Sequence, residues 1–348
     1  METLLTMNDT IPKNFTTIAL DAMGGDYGPE VIVPASIRAI ENVKVAIALV
    51  GDPKILESEL KKSNSQAKQL IKIVPSNGVI DEGPNPVLAL RQNPQASVLV
   101  AAGIVKSGKA DAFVSMGSTG AAIAAATVLF GTVDGIERGA LGGPIVGYAP
   151  NSVIVDLGTN VDTKPSQLAD FAALGSLMSR LIYKKSNPRV ALLSVGSEEG
   201  KGNAQVKATT DLLKNSSLNF VGNVEPHNLT KNIAEVVVCD GFVGNMILKL
   251  TEGLGQAIVD HILSKIGDLD IGQTLAKEVF AKTNRLETLG GGPLLGLKKL
   301  AVVGHGAASE DAIVGAIETA VWVIKQKYIE SQYDELIRIR AEIGQTEV

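Results

Sequence analysis

Several short glycine-rich segments carry residues that can bind an anion or polarise a carbonyl group. In the segment 115–121, SMGSTGA, small residues leave backbone N–H groups uncovered at the start of an alanine-rich helix. The helix N-terminus is electropositive, and Ser118 and Thr119 each add a hydroxyl donor, which together favour an anion site. Either hydroxyl can instead cap the helix. Because Gly117 and Gly120 serve no capping need, the pattern favours anion binding over a cap alone.

The segment 21–26, DAMGGD, is a second candidate for close approach to a ligand. Gly24 and Gly25 follow a predicted strand, and glycine lets the backbone turn tightly there. A purely structural turn between strand and helix explains the pair equally well. The segment is not a dinucleotide fingerprint, because the third glycine is missing. It is not a P-loop either, because no Gly-Lys-Ser/Thr follows.

Lys201 stands between Gly200 and Gly202 in the segment 196–203, GSEEGKGN. Glycine on both sides of a lysine makes the backbone flexible, and ordering such a loop has an entropic cost. This cost is expected where the loop must approach a ligand closely. A cation at the end of a strand can neutralise phosphate or stabilise a developing oxyanion. A solvated loop lysine is the alternative.

The loop 156–162, DLGTNVD, groups four polar side chains at the end of another predicted strand. Asn160 is a candidate contact for substrate. We expect Asp156 and Asp162 to bond to the loop backbone, because a metal site usually has further carboxylates or histidines nearby.

The segment 239–245, CDGFVGN, joins a strand to a helix. The amide of Asn245 can donate to a carbonyl oxygen or cap the helix, and taken alone the pattern favours the cap. Cys239 ends an apolar run of three valines. It is more typical of a small buried core residue than of a thioester nucleophile.

The three histidines, His227, His261 and His305, are scattered, and no H-x-x-x-H or C-x-x-C pairing supports a zinc site. His305 lies in the segment GHGAA at a predicted strand end and is a candidate hydrogen-bond donor. No G-x-S-x-G elbow is present, so a hydrolase triad is unsupported. We therefore expect neither a metal nor a cofactor.

These segments require a scaffold of strands that end at one edge. Short β-branched runs alternate with helical patterns, which predicts an α/β fold with mainly parallel sheets and helices on both faces. The predicted strands are 17–21, 44–51, 71–75, 110–116, 151–158, 189–196, 234–241 and 301–306. Ligands of open parallel sheets bind beyond the carboxyl ends of the strands, where the polar glycine-rich segments stand.

The composition fits a packed enzyme core of this class. The chain has 348 residues, enough for one large domain or two lobes sharing a cleft, with 45% hydrophobic and only 4% aromatic residues. A net charge of −5 leaves no electrostatic footprint for nucleic acid. A single cysteine cannot form an intrachain disulfide, and a reducing cytoplasm is the simplest compartment.

Three segments bear on membranes and partners. Residues 1–15 lack the basic start and apolar stretch of a signal peptide and are interpreted as a frayed leader. The longest apolar stretch, 120–131, is about twelve residues and too short to cross a bilayer of roughly 30 Å. The segment 246–266 is an amphipathic helix with apolar residues at every fourth position. Packing against the body or against a symmetric partner is favoured, and an acyl-chain groove or a weak membrane contact is the alternative.

Taken in order, these motifs closely resemble the PlsX family of phosphate acyltransferases, over roughly residues 17–326. The matching stretches are DAMGGD (21–26), SMGSTGA (115–121), DLGTNVD (156–162), GSEEGKGN (196–203), GNVEP (222–226), DGFVGN (240–245) and GLKKLAVVGHGAA (296–308).

The resemblance implies a fold similar to phosphotransacetylases and isopropylmalate-type dehydrogenases, with two α/β lobes in a homodimer. We expect residues 1–150 with 304–348 to form the first lobe. Residues 151–303, including the amphipathic helix 244–266, form the second. Members of the family convert acyl-acyl carrier protein and inorganic phosphate into acyl phosphate for phospholipid synthesis, which a membrane glycerol-3-phosphate acyltransferase consumes.

The resemblance also implies roles for individual residues. Lys201 and Asn245 are the expected catalytic residues. The expected phosphate and substrate contacts are Gly24, Gly25, Gly117, Ser118, Thr119, Gly120, Asn160 and His305. Since a thioester is already activated, positioning and charge stabilisation suffice for direct attack by phosphate. The alternatives are a phosphotransacetylase acting on short acyl-CoA and a non-catalytic scaffold of lipid synthesis at the membrane. A dehydrogenase is least supported, because the dinucleotide fingerprint is missing.

Overall fold

The structure, a computed structural model, describes residues 15–83 and 85–344. The proposed leader therefore lies, except for its last residue, outside the described residues. The chain divides into two compact units. Unit 1 takes Met1–Gly131 and Leu289–Ile329, and unit 2 takes Thr132–Thr288 and Glu330–Val348.

Strands and helices alternate along most of the chain. The strands are β1 (Thr16–Asp21), β2 (Val45–Gly51), β3 (Ile71–Pro75), β4 (Ala112–Ser115), β5 (Ala140–Gly143), β6 (Val153–Val155), β7 (Arg189–Leu193), β8 (Asn219–Val224), β9 (Val236–Val238), β10 (Gly292–Leu295) and β11 (Leu300–Val303). The helices are α1 (Pro29–Asn42), α2 (Pro53–Lys61), α3 (Pro86–Gln92), α4 (Ser97–Lys106), α5 (Thr119–Phe130), α6 (Pro165–Leu181), α7 (Ala204–Lys214), α8 (Gly241–Ile266), α9 (Asp270–Thr283), α10 (Arg285–Thr288), α11 (Glu310–Lys325) and α12 (Tyr328–Glu342).

Unit 1 is built on the strand order β3-β2-β1-β4-β11-β10. Its neighbouring strands are parallel except for β10, which pairs antiparallel with β11. Every residue of β2 and β4 is buried, as expected for parallel strands covered by helices on both faces. The carboxyl ends of β1, β4 and β11 consequently lie side by side at one edge.

Unit 2 is built on the order β5-β6-β9-β7-β8, again parallel except for β5 against β6. Helix α6 is buried over all residues from 167 to 179, which fits its run of small and apolar side chains. The carboxyl ends of β6, β9 and β7 lie together at one edge. The α/β fold with mainly parallel sheets, predicted from the alternation of patterns, is confirmed.

The division of the chain differs from the expected one at every boundary. The segment 132–150 belongs to unit 2, because β5 pairs with β6 there. The segment 289–303 belongs to unit 1, because β11 pairs with β4. Helix α12 belongs to unit 2 from Glu330 onward, and there the Arg340 guanidinium bonds to both carboxylate oxygens of buried Asp170 at 2.8 and 2.6 Å.

Helix α8 exposes its apolar stripe. Met246, Leu250, Leu254 and Ile258 are between 41 and 70% exposed. The face that packs within unit 2 is another one, and it includes Gly255, where a side chain would clash with Thr283 of α9. Of the two kinds of packing expected for this stripe, packing against the body of its own chain is therefore wrong, and packing against a symmetric partner stays a prediction. No helix in the described ranges combines the length and apolar character that crossing a bilayer requires.

Candidate functional site

Three loops of unit 1 meet at the carboxyl ends of β1, β4 and β11. Gly24 approaches Gly117 so closely that a Cβ on Gly24 would lie 2.7 Å from the Gly117 Cα. The Asp26 N–H donates to the Gly306 carbonyl oxygen at 2.8 Å. Gly25 has a φ of 87°, which favours glycine. The structure thus brings together the glycine-rich segments 21–26, 115–121 and 304–308.

The Asp21 carboxylate connects the loops after β1 and β4 through hydrogen bonds. Its Oδ1 accepts from the N–H groups of Met23 and Gly24, both at 3.3 Å. Its Oδ2 accepts from the Ser115 hydroxyl at 2.9 Å, and that hydroxyl oxygen accepts from the Gly117 N–H at 3.1 Å. Burial raises the pKa of Asp21 above its ordinary value. The position of Asp21 at the end of a predicted strand is visible in the sequence, but its role in connecting the loops is not.

The N-terminus of α5 carries both a cap and an anion. Ser118 caps the helix, since its Oγ accepts from the Ala121 N–H at 3.3 Å. The Thr119 N–H donates to a carboxylate oxygen of exposed Glu82 at 2.9 Å. The capping alternative is therefore confirmed for Ser118. The first turn also binds a negatively charged group, as a positive helix end favours.

His305 is exposed beside the unit 1 loops. Its Nδ1 accepts from the Ala307 N–H at 3.3 Å, so a neutral ring carries its proton on Nε2. That second nitrogen is the one that can donate to a substrate oxygen.

Asp156 organises the corresponding edge of unit 2. This fully buried carboxylate accepts backbone N–H bonds at 2.7–3.2 Å from Leu141, Gly158, Thr159 and Asn160. Burial raises its pKa, while the donated hydrogen bonds oppose that rise. The predicted role of Asp156 in bonding to loop backbone is confirmed.

Asn160 is 1% exposed, and its amide serves the fold. Nδ2 donates to the Gly139 carbonyl oxygen and to Asp156 Oδ2, both at 2.8 Å. Because an amide has two protons, neither remains for a substrate. The geometry therefore favours shaping of the loop over the expected contact with phosphate.

Asn245 is exposed in the second turn of α8 and does not cap it. The cap is Asp240, whose Oδ1 accepts from the Val243 N–H at 2.8 Å, so the capping alternative for Asn245 is wrong. Asn245 lies over Gly158, where a Cβ would be 3.3 Å from the Asn245 Cβ. The Gly241 N–H donates to the Asn160 carbonyl oxygen at 2.7 Å. The loops 156–162 and 240–245 are thus interlocked, with the Asn245 amide at the surface.

Lys201 lies in the loop after β7. Gly200 and Gly202 have φ values of 83° and 104°, so the flanking glycines are required by the backbone. The Lys201 side chain is exposed and has no hydrogen bond or ion pair with any residue that the structure describes. Its cation is therefore available to an anionic ligand.

Cys239 is 5% exposed, and burial raises the pKa of its thiol well above the ordinary value. Its Sγ lies 3.6 Å from the Asp156 carbonyl oxygen. The prediction of a buried core cysteine is confirmed.

The candidate residues therefore form two sets. Gly24, Gly25, Gly117, Ser118, Thr119, Gly120 and His305 stand at one edge of unit 1, whereas Asn160, Lys201 and Asn245 stand at one edge of unit 2. Each set lies where a parallel sheet places its ligands, beyond the carboxyl ends of the strands.

Comparison with known proteins gives one consistent result. The profile of the family described as Fatty acid synthesis protein matches residues 16–331. A phosphate acyltransferase of Elusimicrobium minutum is 39% identical over 318 residues, covering 90% of this chain and 93% of its own. A phosphate acyltransferase of Syntrophomonas wolfei is 40% identical over 329 residues, covering 92% of this chain and 99% of its own.

Solved structures show the same fold at lower sequence identity. A phosphotransacetylase from Streptococcus pyogenes is similar with a TM-score of 0.61 and 18% identity, covering 93% of this chain and 99% of its own. The EutD phosphotransacetylase of Staphylococcus aureus is similar with a TM-score of 0.57 and 16% identity, covering 92% of this chain and 98% of its own.

Proposed function

The chain belongs to the fatty acid synthesis protein family and is an acyltransferase that acts on phosphate, and from this premise we propose that its donor is a long-chain acyl-acyl carrier protein. A phosphate oxygen attacks the thioester carbonyl carbon, and the C–S bond breaks. The proton of hydrogen phosphate passes to the departing thiolate, so the products are acyl phosphate and free carrier-protein thiol. The acyl phosphate then serves phospholipid synthesis in the cytoplasm, with a membrane glycerol-3-phosphate acyltransferase as the consumer.

The observation that carries this proposal is the exposed cation of Lys201, which has no partner in the described ranges and lies in a glycine-bounded loop at a strand end. We assign it to the negative charge of phosphate and of the developing oxyanion. The segment 117–120 supplies N–H and hydroxyl donors to phosphate, supported by Gly24, Gly25 and His305. Asn245 donates to the thioester carbonyl oxygen. No acid–base group has to be recruited, because phosphate brings its own proton.

Substitution of Lys201 tests the assignment directly. We expect Lys201→Ala to lower kcat/KM by about 10²- to 10³-fold, the size expected when one charge-stabilising donor is removed. Palmitoyl-acyl carrier protein and phosphate are the substrates, and hydroxylamine traps the acyl phosphate. Lys207→Ala, on the exposed face of α7, is the matched control and should retain full activity. Near-normal turnover of the Lys201 variant would remove this lysine from the mechanism.

The two alternatives make different products in the same assay. A phosphotransacetylase turns over acetyl-CoA faster than the palmitoyl carrier protein, and a scaffold releases no thiol with either. The 39–40% identity to phosphate acyltransferases favours neither of them, whereas the phosphotransacetylase structures, at 16–18% identity, support the fold alone.

A homodimer is the proposed assembly, with a second copy of the chain covering the exposed stripe of α8. The stripe contains Met246, Leu250, Leu254 and Ile258, and contiguous exposed apolar surface of this kind marks interaction sites. A weak peripheral contact with a membrane is the remaining role for any part of this surface that the second copy leaves uncovered.

A further inference from the structure

Unit 2 contains a cavity of about 210 Å³ at the carboxyl ends of β7 and β9. Its wall is mainly aliphatic and includes the side chains of Leu168, Leu192, Val206, Val238 and Val243. The roles proposed for Lys201 and Asn245 are polar and do not require an apolar cavity near their loops.

The polar residues of the cavity wall are largely committed to the fold. Asn203 Oδ1 accepts from the Val206 N–H at 2.9 Å and caps α7. Asp240 caps α8 in the same way. Gln205 Nε2 donates to the Thr163 carbonyl oxygen at 2.6 Å. A ligand in the cavity would therefore meet mostly apolar surface.

Ser194 is the exception. The residue is 7% exposed and lines the cavity, and its Oγ has no hydrogen-bond partner among the described residues. A buried polar group without a partner destabilises the folded protein, so native proteins rarely retain one without a use. A Cβ on Gly202 would lie 3.0 Å from this oxygen, which places the hydroxyl beside the residue that follows Lys201.

We propose that this cavity receives the acyl group of the donor, with its alkyl chain against the aliphatic wall and the Ser194 hydroxyl donating to the thioester carbonyl oxygen. Ser194 is then a hydrogen-bond donor to that oxygen, and it is not a nucleophile. The proposal rests on the proposed thioester donor. A cavity of about 150 Å³ holds benzene, so this one holds roughly eight carbon atoms, and a longer chain must leave it.

The hydroxyl is tested by Ser194→Ala with two probes that differ only in the carbonyl, S-octanoyl-pantetheine and S-octyl-pantetheine. Binding is measured by calorimetry without phosphate, so no transfer occurs. The preference for the thioester over the thioether should be about five-fold smaller in the variant than in the wild type, the size of one neutral hydrogen bond. The Tm of the variant without ligand should stay the same or rise.

The matched control is Ser179→Ala in α6. Ser179 is also buried in unit 2, and its hydroxyl likewise has no partner in the part of the chain that the structure describes, but it does not line the cavity. It should keep the thioester preference. If Ser194→Ala keeps the full preference for the thioester, or if its Tm is markedly lower than that of the wild type, the hydroxyl has a structural role and the proposal is overturned.

The wall is tested by Val243→Phe, which narrows the cavity from a half-buried position. We expect kcat/KM to fall at least ten-fold more for palmitoyl than for butyryl carrier protein, whereas Val221→Phe on β8 should change both equally. An equal loss at both chain lengths in Val243→Phe contradicts the acyl assignment. Acyl phosphate formation by the wild type is scored separately, so failure of the cavity proposal and failure of the thioester donor are distinguishable.

Discussion

Individual residues at the strand ends differ in how much of their chemistry is left for a substrate. Asn160 spends both amide protons on Gly139 and Asp156, whereas the side chain of Lys201 is exposed without a partner in the described part of the chain. Both residues were candidates from the sequence, Lys201 for catalysis and Asn160 for contact with the substrate. Burial and bonding separate them, because a donor that is already paired cannot bind a ligand without a cost to the fold.

Glu82 should compete with phosphate for the first turn of α5. Its carboxylate accepts from the Thr119 N–H, and a charge at a helix end contributes about 0.3–1 kcal/mol. We expect Glu82→Gln to lower the KM for phosphate by about two- to five-fold without a change in the KM for the acyl donor. Asp81→Asn, the neighbouring exposed carboxylate, is the control. A phosphate KM that stays constant or rises would place phosphate elsewhere.

Cys239 should be inert in the native protein. Because burial holds its thiol protonated at neutral pH, and thiolate is the reactive form, iodoacetamide should not label it. Labelling followed by mass spectrometry should show modification only after unfolding, and treated native enzyme should keep its activity. Rapid labelling of folded protein with loss of turnover would reopen a covalent mechanism.

At the scale of elements, patterns of hydrophobic residues predicted the strands that are rich in β-branched residues. The predicted segments overlap β1, β2, β3, β4, β6, β7, β9 and β11. The sequence did not reveal β5 and β10, because ALGG and GPLL have little intrinsic strand preference and depend on antiparallel pairing with a neighbour. The edge strand β8 is mostly half-buried and lacks the buried run that marks the others.

The loops were predictable as glycine-rich connections, but the carboxylates that hold them were not identified as a group. Asp21 in unit 1 and Asp156 in unit 2 each stand at the end of a buried strand and collect backbone N–H groups. That role depends on burial and on which loops meet, which periodicity does not encode. The cavity beside Ser194 was invisible for the same reason.

Asp21 should leave a signature in the pH dependence of stability. Its pKa is raised in the folded state, so the folded protein keeps this proton to a higher pH than the unfolded chain does. Between the ordinary value of 3.8 and the raised one, its contribution to the free energy of unfolding therefore falls as pH rises. Asp21→Asn lacks this titration.

The measurement is Tm against pH for both proteins. The Tm of the wild type minus that of Asp21→Asn should decrease as pH rises through that window and become constant above it. A difference that increases with pH would mean that the loop N–H groups stabilise the carboxylate more than burial disfavours it.

For the whole molecule, the exposed stripe of α8 should decide the oligomeric state. Leu250 is 70% exposed, so Leu250→Glu should not disturb the fold of unit 2, but it would place a charge in the proposed interface. We expect a dimer for the wild type and a monomer for this variant by light scattering, with unchanged Tm at low concentration. Val128→Glu, on the exposed face of α5, is the control. A variant that stays dimeric would exclude this stripe as the interface.

The chain re-enters unit 1 at residue 289 and unit 2 at residue 330, and this order has a consequence for biosynthesis. A ribosome that has translated residues 132–288 has not yet made Arg340, so the Asp170 carboxylate lacks the guanidinium that it meets in the finished protein. An unpaired charge at a buried position is strongly unfavourable. Nascent unit 2 is therefore expected to stay incompletely packed until Arg340 has been made, and a polypeptide truncated before this residue would keep an unpaired carboxylate at position 170 and become a substrate for degradation.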